Sequence, residues 1–248
     1  MQGNVKVIGM DCATDTKKVG LAMGVYTDHG ITLLEIKIGS DGNSIAEIVK
    51  SWIQEDDKVV FAIDAPLGWP ETLGNSLYHH FAGQKLSEES NLLFRRETDR
   101  FIKKLLGKQP LDVGADRIAR TAHAALKIIG EVQLAVNSKI EMAWNPEKLN
   151  QVSVIEVYPA ATLQCYGIRS GGYKEKGQRA QRDEIISELR NVMDIRCDSL
   201  LMRQNADVLD GAVCLLAAKD FLNGDVYFPS DFEKAIKESW IWVKNINL

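Results

Sequence analysis

Three apolar runs in this chain each end on an acid. Asp11 follows "VKVIGM", Asp64 follows "VVFAI", and Glu156 follows "VSVI" just before Tyr158 and Pro159. Runs without polar side chains read as strands buried on both faces, and open α/β sheets build their sites where such strands emerge. A fourth acid, Asp210, lies within "NADVLDGAVCLLAAKDFL", one helical turn after Asp207 and on the same face. Two like charges ~5 Å apart at an effective dielectric of ~20 repel by roughly 3 kcal/mol. A convergence of Asp11, Asp64, Glu156 and Asp210 would therefore need a cation or raised pKa values. An all-carboxylate set is hard and oxygen-rich, which suits Mg²⁺ or Mn²⁺ rather than zinc. Two such ions can activate water and stabilise the leaving oxygen in phosphodiester cleavage.

Each acid also has a plainer reading. An Asp after a strand is most often a turn or cap residue, which suits Asp64 before Ala65 and Pro66, and Asp11 before "ATDTKK". Asp207 falls in a first helical turn, where an acid complements the dipole, and that reading is preferred for it. Asp210 is deeper in the helix. Glu156 sits between Ile155 and Val157, where a lone buried Glu would be costly.

The elements that must position these acids follow from periodicity. Residues 5–13, 18–26 and 31–39 read as three strands, the last two joined by the turn "TDHG" and all able to form an antiparallel meander. Asn43 or Ser44 caps a helix with Ile45, Ile48, Val49 and Trp52 inward, and the strand 58–64 follows. From 71 to 150 the chain reads as mainly helical. It includes a basic helix over 91–108 and an amphipathic helix over 115–136 with Ile118, Ala122, Ala125, Leu126 and Ile129 along one stripe. Strand character returns over 151–162. A glycine-rich loop, "GIRSGGYKEKG", follows, then a helix with Ile185, Ile186 and Leu189 inward, then a long helix capped by Asn205. Gly211, Cys214 and Ala218 would let that helix approach the sheet closely. This order predicts one α/β domain over 1–248, built on a mixed sheet, with 71–150 as an inserted helical block.

Composition is that of a globular chain: 248 residues, 45% hydrophobic and 26% charged, with a formal net charge of −4. Binding to long nucleic acid by charge alone usually needs a basic protein, so any such role requires a local patch or a short substrate. Cys12, Cys165, Cys197 and Cys214 are scattered without a CxxC pair. The start of the chain lacks a signal-peptide pattern and no apolar run approaches a membrane span, so a cytoplasmic location is expected.

The stretches "GMDCA" (9–13), "AIDAPLGWP" (62–70), "RRETD" (95–99), "EVYPAAT" (156–162) and "DVLDGAVCLLAA" (207–218) resemble, in order, a family of predicted nucleases: domain of unknown function 429. The resemblance implies a ribonuclease H-like fold, with three antiparallel strands followed by a parallel part and flanking helices. It also implies that Asp11, Asp64, Glu156 and Asp210 are the acidic set of a metal-dependent nuclease using Mg²⁺ or Mn²⁺, acting on nucleic acid or a small phosphoester.

Other features fit around that reading. Arg95, Arg96, Arg100, Lys103, Lys104 and Lys108 fall within one short basic stretch beside Glu97 and Asp99. A solvated helix face is the commoner meaning of such a run, and a phosphate-binding patch is the functional one. The match at "RRETD" favours substrate binding by Arg95, Arg96 and Asp99, with Arg100 on the same helix. Lys174, Lys176 and Arg179 lie in the glycine-rich loop, which is expected over the site. His79, His80 and His123 lack zinc-site spacing, and no Ser-His-Asp or phosphate-loop pattern stands out. Two rival functions share such a core: a phosphotransferase, and a non-catalytic module that binds metal or ligand.

Overall fold

The computed structural model describes residues 4–114 and 116–247. Its centre is a mixed seven-stranded sheet: β1 (Val5–Asp11), β2 (Gly20–Thr27), β3 (Gly30–Ile38), β4 (Lys58–Asp64), β5 (Ile140–Met142), β6 (Val152–Glu156) and β7 (Asp194–Ile195), in the order β5-β6-β4-β1-β2-β3-β7. β1, β2 and β3 form the antiparallel meander, whereas β4, β6 and β5 extend the sheet from β1 in parallel. The sheet is thus the one the resemblance implied, antiparallel at one side and parallel at the other. β6 is buried at every position and β4 at all but its ends, which is why both read as continuous apolar runs.

The helices are α1 (Ile45–Trp52), α2 (Glu71–Tyr78), α3 (Ser90–Phe94), α4 (Glu97–Leu106), α5 (Asp116–Val136), α6 (Pro159–Cys165), α7 (Arg179–Leu189), α8 (Leu200–Gln204), α9 (Ala206–Asn223) and α10 (Phe232–Glu238). Ser44 starts α1 with a capping box: its hydroxyl accepts from Glu47 N–H and Glu47 accepts from Ser44 N–H. One core layer joins α9, α7 and the tryptophans 240 and 242 to one sheet face; the other joins α1 and α5 to the opposite face.

Helix α9 touches the sheet without intervening side chains. A Cβ on Gly9 of β1 would lie 2.0 Å from the Gly211 carbonyl oxygen, and one on Gly20 would lie 2.0 Å from that of Asp207. The glycines are what let an otherwise buried helix rest its backbone on β1 and β2. Gly9→Ala is therefore expected to destabilise the chain by about 3 kcal/mol or more, since the obstacle is backbone that must shift as a unit. Chemical denaturation of the variant checks this, and a change below about 1 kcal/mol would contradict it.

The structure corrects three expectations. Residues 91–108 are not one helix: Arg95 and Arg96 are extended, and Asp99 accepts the Arg96 N–H to begin α4 afresh. The buried stripe of α5 runs through Ala122, Ala125, Ile128 and Val132, and Leu126 is exposed, because α1 covers the face one position round from the predicted one. The strand of 151–162 stops at Glu156, where Pro159 opens α6 at a position needing no N–H donor. The stretch 71–150 carries the helices α2 to α5, and β5, which pairs with β6 as an edge strand.

Candidate functional site

Asp11 and Asp64 close the C-terminal ends of β1 and β4. These strands run parallel, and Asp11 stands directly opposite Asp64 in the register. Neighbouring parallel strands lie ~4.8 Å apart, so the two carboxylates emerge side by side. The glycine contacts of α9 then bring Asp210 over the same strand ends. One carboxylate oxygen from each of Asp11, Asp64 and Asp210 lies within 4.8 Å of the others. Asp210 is fully buried, and its Oδ2 faces the Lys174 ammonium.

Electrostatics follow from this crowding. Burial raises the Asp11 carboxyl well above its ordinary range, and Asp64 and Asp210 push it further. Asp64 is raised to about 7, by burial first, opposed by Lys174 and reinforced by Asp210 and Glu156. Burial raises Asp210 too, against the pull of Lys174. The same field, with burial, lifts the Cys12 thiol to about 12 and the Tyr158 phenol to about 12, so neither is an activated nucleophile.

Two residues from the glycine-rich loop reach this group. The Tyr173 hydroxyl donates to Asp210 Oδ1 at 2.6 Å, and the Lys174 ammonium forms an ion pair with Asp210 and lies 3.9 Å from Asp11. Tyr173 is buried, and Arg182 grips its carbonyl at 2.6 Å and that of Arg203 at 2.8 Å. Lys108 donates to the Ser170 carbonyl at 3.1 Å, tying the segment after α4 to this loop. Together these segments and the strand ends enclose a cavity of about 560 Å³. Its walls include Pro110, Leu111, Ile118 and Tyr158 beside the carboxylates.

Glu156 lies outside the group of three. It is buried, and Arg96 holds both its oxygens at 2.7 Å, while Leu67 N–H donates to Oε2 at 2.9 Å. Arg96 in turn donates twice to Asp99 and once to the Glu238 carbonyl, so all five of its side-chain N–H groups are engaged. Arg96 is therefore the buried partner of both Glu156 and Asp99, with no guanidinium donor left for a phosphate. Arg95 is half-buried and pairs with Asp112 at 2.7 Å, and Arg100 donates to the Arg95 carbonyl at 2.6 Å. Neither belongs to the cavity wall. Tyr173 was silent in the sequence, since a lone Tyr after two glycines carries no spacing signal. Lys174 was visible only as one of several loop cations.

These carboxylates make stability depend on pH. Their folded pKa values exceed the ordinary Asp value of ~3.9, so between about 4 and 7 the folded chain binds more protons than the unfolded one. Without divalent ions, stability is thus expected to fall as pH rises through that window, with a lower melting temperature at pH 8 than at pH 5. Calorimetric melts in EDTA check this; a melting temperature that rises from pH 5 to pH 8 would contradict it.

A mixed α/β sheet with two carboxylates at adjacent strand ends, joined by a buried third from α9, defines an α/β protein with a candidate metal centre. The chain belongs to the family described as protein of unknown function (DUF429), whose model matches residues 9–234. No curated protein matches it. Among solved structures, a chain described as T. thermophilus RuvC in complex with Holliday junction substrate is similar at 12% identity, over 87% of this chain and 94% of that one, with a TM-score of 0.37. Among the described residues no helix is long and apolar enough to cross a membrane.

Proposed function

We propose that this chain is a metal-dependent phosphodiesterase of nuclease type, with Asp11, Asp64 and Asp210 as the ligands of Mg²⁺ or Mn²⁺. The observation that carries the reading is the convergence of three carboxylates, one oxygen from each within 4.8 Å of the others, beside a cavity whose wall includes Asp11 and Asp64. Their oxygen-only donor set fits a hard divalent cation. When bound, such an ion lowers the pKa of water and offsets negative charge on a phosphoryl group.

The chain's own residues supply the remainder. Asp11 and Asp64, fixed by strand pairing, hold their oxygens without loop entropy to lose. Glu156, clamped by Arg96, positions the turn after Asp64 through Leu67 N–H. Lys108 and Lys174 put positive charge at the cavity, where it favours a phosphate. Residues 71–150, read as an insertion between β4 and β6, contribute Lys108, Pro110, Leu111 and Ile118 to its wall. A volume of about 560 Å³ is that of a small-molecule site, roughly 300–1,000 Å³. It suits a strand end or small phosphodiester better than an intact duplex. Arg95 and Arg100 would meet a longer strand only outside the cavity. A cytoplasmic setting belongs to the same reading, supported by four scattered free cysteines.

Hydrolysis of bis(p-nitrophenyl) phosphate and of short single-stranded DNA and RNA, in Mn²⁺ and in EDTA, tests the reading. Turnover in Mn²⁺ and none in EDTA is expected. Bound Mn²⁺ without turnover of any phosphodiester would replace it with a non-catalytic metal-binding module.

A further inference from the structure

The ammonium of Lys174 stands where a cation is needed. It is paired with Asp210 and lies 3.9 Å from Asp11, inside the group that the metal reading assigns to divalent ions. Its placement is built into the fold. Tyr173, the preceding residue, is buried and pegged to Asp210 Oδ1, and Arg182 holds the Tyr173 carbonyl. The Lys174 stem is half open to solvent, so the charge enters the site from outside without the stem being part of the core. Around this group, Glu156 and Asp99 share the single charge of Arg96, and Asp207 and Lys108 add one charge of each sign.

Asp11, Asp64 and Asp210 together carry three negative charges when ionised, and Lys174 carries one positive. One divalent ion matches the charge left on these four groups, and the ammonium already occupies an oxygen of Asp210 that a second ion would need. A second would leave the desolvated site with excess positive charge, next to an ammonium that cannot be neutralised cheaply among carboxylates. Two-ion sites are usual where ions must stabilise both attacking and leaving oxygens. Here a protein cation already occupies one of those places.

We propose that Lys174 acts as the second cation of the site, so that Asp11, Asp64 and Asp210 hold a single divalent ion. This rests on the metal-site reading above. In that role the ammonium would meet a phosphate or leaving oxygen, a task a point-charge lysine performs without fixed fork geometry.

The test is the number of Mn²⁺ ions per chain, by calorimetry and by electron paramagnetic resonance, for the full-length wild type, Lys174→Met and Lys174→Arg at pH 8. Circular dichroism and melting curves establish folding, and Lys174→Gln replaces Lys174→Met if the latter does not fold. The expected result is one ion in the wild type and in Lys174→Arg, but two in Lys174→Met, with the spectrum of an exchange-coupled pair. Two ions in the wild type would overturn the proposal. So would one ion in Lys174→Met, at whatever affinity, or an ion bound only when Lys174 is removed. Absence of Mn²⁺ from every chain would overturn the metal-site reading itself.

Discussion

Arg96→Met is expected to destabilise the chain by about 3–5 kcal/mol, the largest stability effect of any single replacement near the site. Arg96 is buried among Glu156, Asp99 and the Glu238 carbonyl, and removing it leaves two buried carboxylates without their counter-charge. Methionine fills similar volume and supplies none of the five hydrogen bonds. Its net worth compared with a fully apolar replacement of the whole network is a separate matter, because burying charges carries its own desolvation cost. Removing one member alone is what hurts. The loss extends to assembly, since Glu238 accepts from Glu71 N–H at 2.9 Å and Glu97 N–H at 2.7 Å, tying α10 to the starts of α2 and α4. Urea denaturation measures the effect. A loss below about 1 kcal/mol would mean that Glu156 and Asp99 find other partners when Arg96 is gone, and would contradict the expectation.

Asp64→Asn is expected to lower phosphodiesterase activity on the order of a thousandfold, equivalent to several kcal/mol of lost charge stabilisation in the transition state. The same change should leave the fold intact and raise stability in EDTA at pH 8. The reason is the sign of its shift: Asp64 is held up at about 7 by burial and by Asp210 and Glu156, so ionising it opposes folding. An amide of the same shape removes that opposition. The pair of outcomes separates a ligand from a structural residue, which would lose activity and stability together. Equal activity in Asp64→Asn would remove this carboxylate from the mechanism.

Much of this arrangement is legible in the residues alone. Runs such as "VVFAI" and "VSVI" announce buried strands, and an acid at the end of each marks the place where a sheet meets solvent. Gly211 and Cys214 on the face of Asp210 foretell the close approach of α9, although the matching glycines of β1 and β2 emerge only from the packing. The expected expense of a buried Glu156 is also real, but its charge is answered by Arg96, sixty positions earlier in the chain. Such a pairing has no local signature. The break between α3 and α4 is hidden too: "NLLFRRETDRFIKKLLGK" has helical composition throughout, and the Asp99 cap on Arg96 N–H acts together with long-range bonds from Arg96 to Glu156 and the Glu238 carbonyl. β5 is too short to show a period, and Lys174 sits in a loop whose path depends on Tyr173 finding Asp210.

The central claim is that Asp11, Asp64 and Asp210 form a metal centre, and Mn²⁺ titration by calorimetry on the wild type and Asp64→Asn tests it most directly. Saturable binding to the wild type that vanishes in a folded Asp64→Asn is the predicted result. Binding of equal affinity by both chains, or by neither, would contradict it.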